Sequence, residues 1–220
     1  MCVGLPAKLL RTDMLVDARQ VPDWLVVSHE TLAKLEAFLD LVIKWNPTIN
    51  LISAGSVGQA WSRHVLDSAQ LWGMVRADGI WLDIGSGGGF PGLVISILAQ
   101  EAAPDLRVVL VESDRRKSVF LAEAVRQLSL TSEVHCARIE SMTPIGAKVV
   151  SARALAPLAG LLPLVAKHLA ADGVALIPKG QRHQTELEEC RKHWLLQSEP
   201  VVSRTDPFAA ILKIWGLQHA

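Results

Sequence analysis

The stretch Asp83-Ile84-Gly85-Ser86-Gly87-Gly88-Gly89-Phe90-Pro91-Gly92 is where this chain could do chemistry. Glycine tolerates positive φ and lets a ligand approach the backbone closely. Gly85, Gly87 and Gly89 meet a GxGxG pattern, and a frame shifted by two meets GxGxxG at Gly87, Gly89 and Gly92. The glycines alone therefore do not separate a methyltransferase from a nicotinamide-dependent dehydrogenase. Glu112 sharpens the reading. It follows a second apolar run, where a carboxylate can accept hydrogen bonds from both hydroxyls of an adenosine ribose; the plain alternative is a solvated carboxylate at a strand end. Asp83 could reach a ligand amino group or hold the loop by local hydrogen bonds, and its position leaves both open.

These residues lie at the ends of apolar runs. Ile80–Ile84 and Arg107–Val111 read as strands, each leading to a helix, Pro91–Gln100 and Arg115–Leu128, with proline well suited to a first turn. Further strands are expected near Glu133–Ala137, Lys148–Ser151 and Val174–Pro178, with pieces around Val201 and over Ala210–Ile214. Helices are expected around Leu158–Leu169 and over Gln181–Leu196. This alternation predicts an α/β fold, a doubly wound Rossmann-like sheet, mostly parallel and covered on both faces. Ligands bind such sheets beyond the carboxyl ends of the strands, which is where the glycine loop falls.

Ahead of the sheet, Ser28 reads as the N-cap of a helix carrying Leu32, Leu35, Leu39, Val42 and Ile43, stopped by Asn46-Pro47. A second helix is expected over Val57–Met74. The chain thus divides into an aperiodic segment 1–22, an N-terminal helical extension 23–78 and a cofactor-binding domain 79–220.

Composition narrows the field. Half of the 220 residues are hydrophobic, enough for a substantial core. Lysine plus arginine and aspartate plus glutamate balance at 22 each, which argues against a broad electrostatic nucleic-acid binder but not against a local basic patch. Cys2, Cys136 and Cys190 are far apart and form no CxxC pair, so neither a metal site nor a disulfide framework is expected, and reduced thiols fit a cytoplasmic protein. Residues 1–20 hold no continuous apolar run and carry Asp13 and Asp17, unlike a signal peptide. The most apolar stretch, Leu155–Ala166, is too short to span a bilayer and is interrupted by Pro157 and Pro163, so no membrane role is expected.

A series of motifs then carries a resemblance: Trp45-Asn46-Pro47-Thr48-Ile49-Asn50-Leu51-Ile52, Arg63-His64-Val65-Leu66-Asp67-Ser68, the glycine loop, Val111-Glu112-Ser113, Arg115-Arg116-Lys117, Ala137-Arg138-Ile139-Glu140, Ser151-Ala152-Arg153-Ala154-Leu155-Ala156-Pro157-Leu158 and Pro178-Lys179-Gly180. Together, from about residue 30 to about residue 180, they resemble the RsmG family, also called glucose-inhibited division protein B. The resemblance implies a class I methyltransferase fold that takes S-adenosyl-L-methionine and methylates guanine N7 in the decoding region of bacterial 16S rRNA, free or within the assembled small subunit, without a metal. It implies that Gly85, Gly87 and Phe90 line the cofactor, that Glu112 holds the ribose, and that Ile139 and Glu140 flank the adenine. Arg153 matches a family arginine at the mouth of the site, near both cofactor and RNA.

Other RNA candidates follow from position. Lys179 sits after an apolar strand near the same rim, as a phosphate contact or as a plain exposed lysine. Arg63 and His64 precede the core domain. His64 reads as a buried, hydrogen-bonded histidine, a helix-packing residue or a substrate contact, and not as a general base. Where many family members carry an Arg-His pair before the last strand, this chain reads Ser203-Arg204-Thr205-Asp206-Pro207-Phe208, and Arg204 is the candidate substitute. Arg115-Arg116-Lys117 reads by default as a solvated helix face, and Trp45 and Trp61 are candidates for an RNA-facing surface. No residue is assigned as a catalytic acid or base. Guanine N7 carries a lone pair and no proton, so alignment with the methyl donor is the expected route. The alternatives are methylation of a small molecule or protein, a nicotinamide-dependent oxidoreductase, and a binding protein that keeps the fold without the activity.

Overall fold

The computed structural model describes residues 19–76 and 78–220. The aperiodic segment 1–22 lies outside the described residues up to residue 18, as does Cys2. The order of elements is α1 (His29–Ile49), a run of short turns over residues 54–74 that includes α2 (Asp67–Ala69), β1 (Ile80–Ile84), α3 (Gly92–Ala102), β2 (Arg107–Glu112), α4 (Arg115–Gln127), β3 (Glu133–Cys136), β4 (Ala147–Ser151), α5 (Leu158–His168), β5 (Leu169–Lys179), α6 (His183–Cys190), β6 (Trp194–Val202) and β7 (Ala210–His219). The strands form one sheet in the order β3-β2-β1-β4-β5-β7-β6. β1 to β5 run parallel, and β7 is antiparallel to both β5 and β6. This is the expected doubly wound α/β sheet. Its strand order reverses between β1 and β4, and a crevice at such a reversal is where these sheets take ligands.

Side-chain alternation puts neighbouring strand residues on opposite faces. Trp81, Val108, Leu110 and Val149 join a core with α1, α3 and α4. Leu82, Val109, Val150 and Ile177 join a second core with α5 and α6. Leu35, Phe38, Leu39 and Val42 of α1 are fully buried in the first core, so this N-terminal helix packs directly onto the helical layer of the sheet domain.

Ser28 caps α1 as expected, its Oγ accepting the Thr31 N–H at 3.1 Å. The helix does not stop at Asn46-Pro47 but runs to Ile49. Proline costs the last turn only its own N–H bond. The exit comes at Asn50, which adopts φ 50 and donates its N–H to the Asn46 carbonyl at 3.0 Å. The Asn46 side chain then accepts the Ile52 N–H at 2.8 Å.

The second expected helix is broken up. A 3₁₀ turn covers Ala54–Gln59, a π turn Trp61–Leu66, α2 only Asp67–Ala69, and another 3₁₀ turn Trp72–Met74. Ser68 donates its hydroxyl to the His64 carbonyl at 2.6 Å, a back-bond that competes with regular helical pairing. The helix expected over Gln181–Leu196 ends at Cys190, because Trp194 onward pairs with β7 as an outer strand. β5 begins at Leu169, directly after α5, and β7 extends to His219.

The close approach of α3 to β1 depends on Gly92. A Cβ there would lie 2.3 Å from Leu110 Cδ2 and 2.6 Å from Asp83 Oδ2, both buried. Gly92→Ala is expected to lower unfolding free energy by about 2–3 kcal/mol in urea denaturation, as overpacking of a filled core does. Gly180→Ala, where the added methyl meets nothing within 4 Å, should stay within about 0.5 kcal/mol of wild type.

Candidate active site

The glycine loop is pinned from below. Gly85 and Ser86 both donate N–H bonds to the Val111 carbonyl, at 2.9 and 3.1 Å, tying the loop to the end of β2. Gly85 holds φ +66, and a Cβ there would sit 2.8 Å from Leu155 Cδ1. Asp83 is fully buried and takes the loop-holding role: Oδ1 accepts the Ser151 hydroxyl at 2.7 Å and Oδ2 accepts the Gly92 N–H at 3.2 Å. The Trp81 indole N–H in turn donates to Ser151 Oγ at 2.9 Å. Burial pushes the Asp83 carboxyl up to about 6, against the pull of these hydrogen bonds and of Arg153.

Glu112 closes the same loop from β2. Its Oε2 accepts the Gly87 N–H at 2.8 Å and its Oε1 the Asp114 N–H at 2.7 Å. Asp114 caps α4 by accepting the Arg116 and Lys117 N–H groups, at 2.8 and 3.2 Å. Arg115 and Arg116 are exposed on that first turn, the solvated face that was the default reading. A carboxylate offers about four lone-pair directions, so Glu112 keeps acceptor capacity beyond its two backbone bonds.

Above the loop lies a cleft of about 400 Å³ lined by Gly85, Val111, Ser113, Ile139, Glu140 and Leu155, among others. Ile139 and Glu140 reach it on a 3₁₀ turn, Ile139–Ser141, held by α5: His168 Nε2 donates to the Ile139 carbonyl at 3.1 Å and Lys167 Nζ to the Glu140 carbonyl at 2.6 Å. Gly87, Phe90 and the buried Glu112 are not in its lining, although Val111 and Ser113 on either side of Glu112 are. Phe90 is 4% exposed and packs against Phe38 and His64, with ring centroids 5.0 and 5.2 Å away.

A second cleft, of about 800 Å³, opens on the other side of the loop after β4. Arg63, His64, Arg153 and Lys179 all line it, although they come from three separate parts of the chain. Arg153 is its centre. Its Nη1 donates to His64 Nδ1 at 2.9 Å and to the Arg63 carbonyl at 3.2 Å, and lies 3.7 Å from Asp67 Oδ2. Its guanidinium carbon stands 5.1 Å from the centre of the Phe90 ring. Both Nη1 protons are thereby engaged, and among the described residues no hydrogen bond takes up the Nη2 or Nε protons. Burial pulls the guanidinium's affinity for its proton down, while Asp67 and Asp83 push it back up. The loop partitions the two clefts: Arg153 and Ala154 face the larger, Leu155 and Ala156 the smaller, and Ala154 makes the turn at φ 53.

A guanidinium only donates, so His64 Nδ1 is the acceptor and Nε2 carries the proton, donating to Ser56 Oγ at 2.9 Å. Burial first, then the charges of Arg153 and Arg63, lower its pKa to about 3. His64 is thus neutral with both nitrogens occupied, a support for Arg153 and not a base. Between pH 6.5 and 3 the unfolded chain binds a proton at this site that the folded chain does not, so its contribution to stability falls as pH falls. Relative to wild type, His64→Gln should gain about 1.6 kcal/mol between pH 6.5 and pH 5, read from urea midpoints at both pH values. A constant difference would show that His64 protonates normally in the folded state.

Other candidates sit differently from expectation. Lys179 reaches the cleft, but its ammonium is bound by Glu186 Oε2 and the Ala156 carbonyl, both at 2.9 Å, with the side chain 11% exposed. Glu186 also accepts the Leu158 N–H at 2.7 Å, so this pair builds the start of α5 and does not reach outward. Arg204 is outside the cleft, its guanidinium carbon 5.1 Å over the Trp24 ring. Trp61 is 1% exposed, its indole N–H donating to the Gln20 carbonyl at 2.9 Å, and Trp45 packs edge-on to Phe120; Trp61 is core, not an RNA-facing ring. Sequence reasoning gave no role to Asp67, Leu155 or Phe208. All three lay in quoted stretches, and Phe208 carried only the signal of an apolar residue in a polar loop. Among the described residues, no cluster of three or more histidine, cysteine or acidic side chains could hold a metal, and no helix is long and apolar enough to cross a membrane.

The family described as rRNA small subunit methyltransferase G matches residues 31–207. The chain belongs to this family. The match runs past the sequence resemblance, which ended near residue 180, and takes in the Ser203–Pro207 loop. Proteins named ribosomal RNA small subunit methyltransferase G from Cereibacter sphaeroides (strain ATCC 17025) and Ruegeria pomeroyi are 51% and 46% identical. The first alignment covers 94% of this chain and all of its relative, the second 90% and 98%. Among solved structures, a TehB-like SAM-dependent methyltransferase from Corynebacterium glutamicum superposes with TM-score 0.54 at 13% identity, over 82% of this chain and 98% of that one. TYW2 of P. horikoshii, in complex with MeSAdo, superposes with TM-score 0.53 at 11% identity, over 70% of this chain and 63% of that one. At such identities these structures speak for the fold alone. Membership in the small-subunit rRNA methyltransferase G family removes the nicotinamide-dependent reading of the shifted GxGxxG.

Proposed function

We propose that this protein transfers a methyl group from S-adenosyl-L-methionine to N7 of a guanine in the decoding region of 16S rRNA. The observation that carries the reading is the pair of clefts divided by one short loop, with Leu155 in one and Arg153 in the other. The cofactor fits the smaller cleft on chemical grounds. The lining of Gly85, Val111, Ile139 and Glu140 suits an adenosine without phosphates, and Glu112, between Val111 and Ser113 of that lining, keeps spare acceptor capacity for a ribose. Bound there, S-adenosyl-L-methionine supplies an electrophilic methyl group on a sulfonium.

Glu112 then holds the ribose hydroxyls, and Ile139 and Glu140 flank the adenine. Guanine N7 arrives with a free lone pair, so no side chain has to remove a proton from it. This agrees with a cleft whose only histidine is neutral and fully bonded. What the protein contributes is alignment, an effect that supplies roughly 7–11 kcal/mol in favourable systems. Arg153 presents its free N–H groups to guanine O6 or to a phosphate, leaving N7 for the methyl. Asp67 beside it offsets part of the positive charge that gathers as the ring becomes cationic. Arg63, exposed and without an ion pair among the described residues, serves as a phosphate contact at the rim.

The test uses methyl-labelled S-adenosyl-L-methionine with small ribosomal subunits, and separately free rRNA, from cells lacking this gene. Nucleoside mass spectrometry should find 7-methylguanosine at one decoding-region site. Cofactor binding without label on either RNA substrate would reject the RNA reading and point to a small molecule or protein acceptor.

A further inference from the structure

We infer that Phe208 is a stacking platform for a nucleobase of the substrate RNA, set at the rim of the larger cleft. The inference rests on the rRNA reading above and adds a specific contact to it. Phe208 is 69% exposed and is the one exposed phenyl or indole ring among the described residues. Scattered exposed apolar residues are ordinary and need no explanation. This ring differs in where it stands and in how it is held.

It lines the same cleft as Arg63 and Arg153. Its loop, between β6 and β7, is closed by its own hydrogen bonds: Phe208 N–H to Asp206 Oδ1 at 2.9 Å, Ala209 N–H to the Asp206 carbonyl at 3.0 Å, and Ser203 N–H to the Ala209 carbonyl at 3.0 Å. The loop is also tied across the cleft, because the Thr205 hydroxyl donates to Asp67 Oδ1 at 2.8 Å. Asp67 is the carboxylate paired with Arg153. One acidic side chain therefore fixes both the guanidinium at the centre of the cleft and the loop that holds the phenyl ring outward.

Proteins read RNA mainly where bases are unstacked, and an unstacked base needs an aromatic face to replace its lost neighbour. A pre-positioned phenyl ring that shares its cleft with Arg63, an exposed arginine without an ion pair among the described residues, supplies that face together with a phosphate contact. The ring is not a catalytic residue in this account. It holds a base of the RNA while Arg153 and the loops set the reacting guanine.

The experiment compares wild type with Phe208→Ala, Phe208→Leu and Phe208→Trp in steady-state methylation of small subunits and of free rRNA, with S-adenosylhomocysteine affinity measured by calorimetry. Losing the stack should raise KM for RNA roughly five- to hundredfold in the alanine variant, with a smaller change in kcat and unaltered S-adenosylhomocysteine affinity. Leucine should behave like alanine and tryptophan like wild type. Full activity in Phe208→Leu would mean that apolar bulk suffices and would overturn stacking. Unchanged KM in all three variants, beside an active wild type, would overturn the inference alone. A defect on subunits but not on free rRNA would assign the ring to a ribosomal protein and overturn it equally. A wild type that binds S-adenosylhomocysteine but labels neither RNA would bring down the rRNA reading and this inference together.

Discussion

Arg153→Ala should lower kcat on the RNA substrate by roughly a hundred- to a thousandfold while leaving S-adenosylhomocysteine affinity near that of wild type. The size follows from the kind of interaction lost. Removing one pre-positioned donor from a water-poor site typically costs 10²–10³ in rate, and small misplacements of the reacting atoms cost a similar factor. Arg153 is as strongly pre-positioned as any side chain in the cleft. His64, the Arg63 carbonyl, Asp67 and Phe90 hold it from four sides. Its removal also leaves His64 Nδ1 without a donor and Asp67 without its cation. Some loss of stability should therefore accompany the loss of turnover, and single-turnover kinetics well below the melting temperature separate the two. Arg153→Lys should recover little. An ammonium has no planar fork and cannot engage His64, the Arg63 carbonyl and a ligand together. If the alanine variant binds and methylates RNA like wild type, Arg153 is only a structural ion pair.

What could be read from the sequence and what could not divides along contact range. The sheet was legible because Ile80–Ile84 and Arg107–Glu112 are apolar runs that end in residues of special conformation or charge, and that signal is local. The glycine loop and Glu112 were legible for the same reason. The larger cleft was legible only in part: Arg63, His64, Arg153 and Lys179 were named as substrate candidates, but not that they meet in one place. Arg63 and Arg153 are 90 positions apart, and they meet through a π turn that no 3.6-residue periodicity announces. A pattern of apolar residues over Val57–Met74 fits a straight helix, whereas the observed turns follow the demands of His64, Asp67 and Ser68 for particular partners.

Lys179 and Arg204 illustrate a second limit. Sequence offered Lys179 as a phosphate contact or a plain exposed lysine and Arg204 as a substitute for a missing Arg-His pair, but a cation's role depends on what already holds it. Glu186 holds Lys179, and Trp24 lies under Arg204; neither pairing has a sequence signature. Pro47 shows the converse. Its local preference was read correctly, but the helix needed only one more turn, and the lost N–H bond was not enough to end it.

Glu112→Gln should weaken S-adenosylhomocysteine binding roughly ten- to a hundredfold in calorimetry. The exchange keeps shape and volume, so the effect isolates charge and acceptor count. The carboxylate accepts from Gly87 on one oxygen and from Asp114 on the other. A glutamine has one acceptor oxygen, so its amide nitrogen must face one of these N–H donors, and either the glycine loop or the entry to α4 loses its bond. Ribose hydroxyls brought to the spare lone pairs of the carboxylate, as the proposed function requires, would meet a neutral amide. Hydrogen bonds to a charged partner contribute about 1.5–3 kcal/mol each, which is the origin of the predicted factor. Ligand-free stability separates the two consequences. A lowered urea midpoint with wild-type affinity would make Glu112 a loop clamp with no ribose contact, and the adenosine would have to be sought elsewhere along the smaller cleft. A weakened affinity that exceeds the loss of ligand-free stability would place the carboxylate on the cofactor itself.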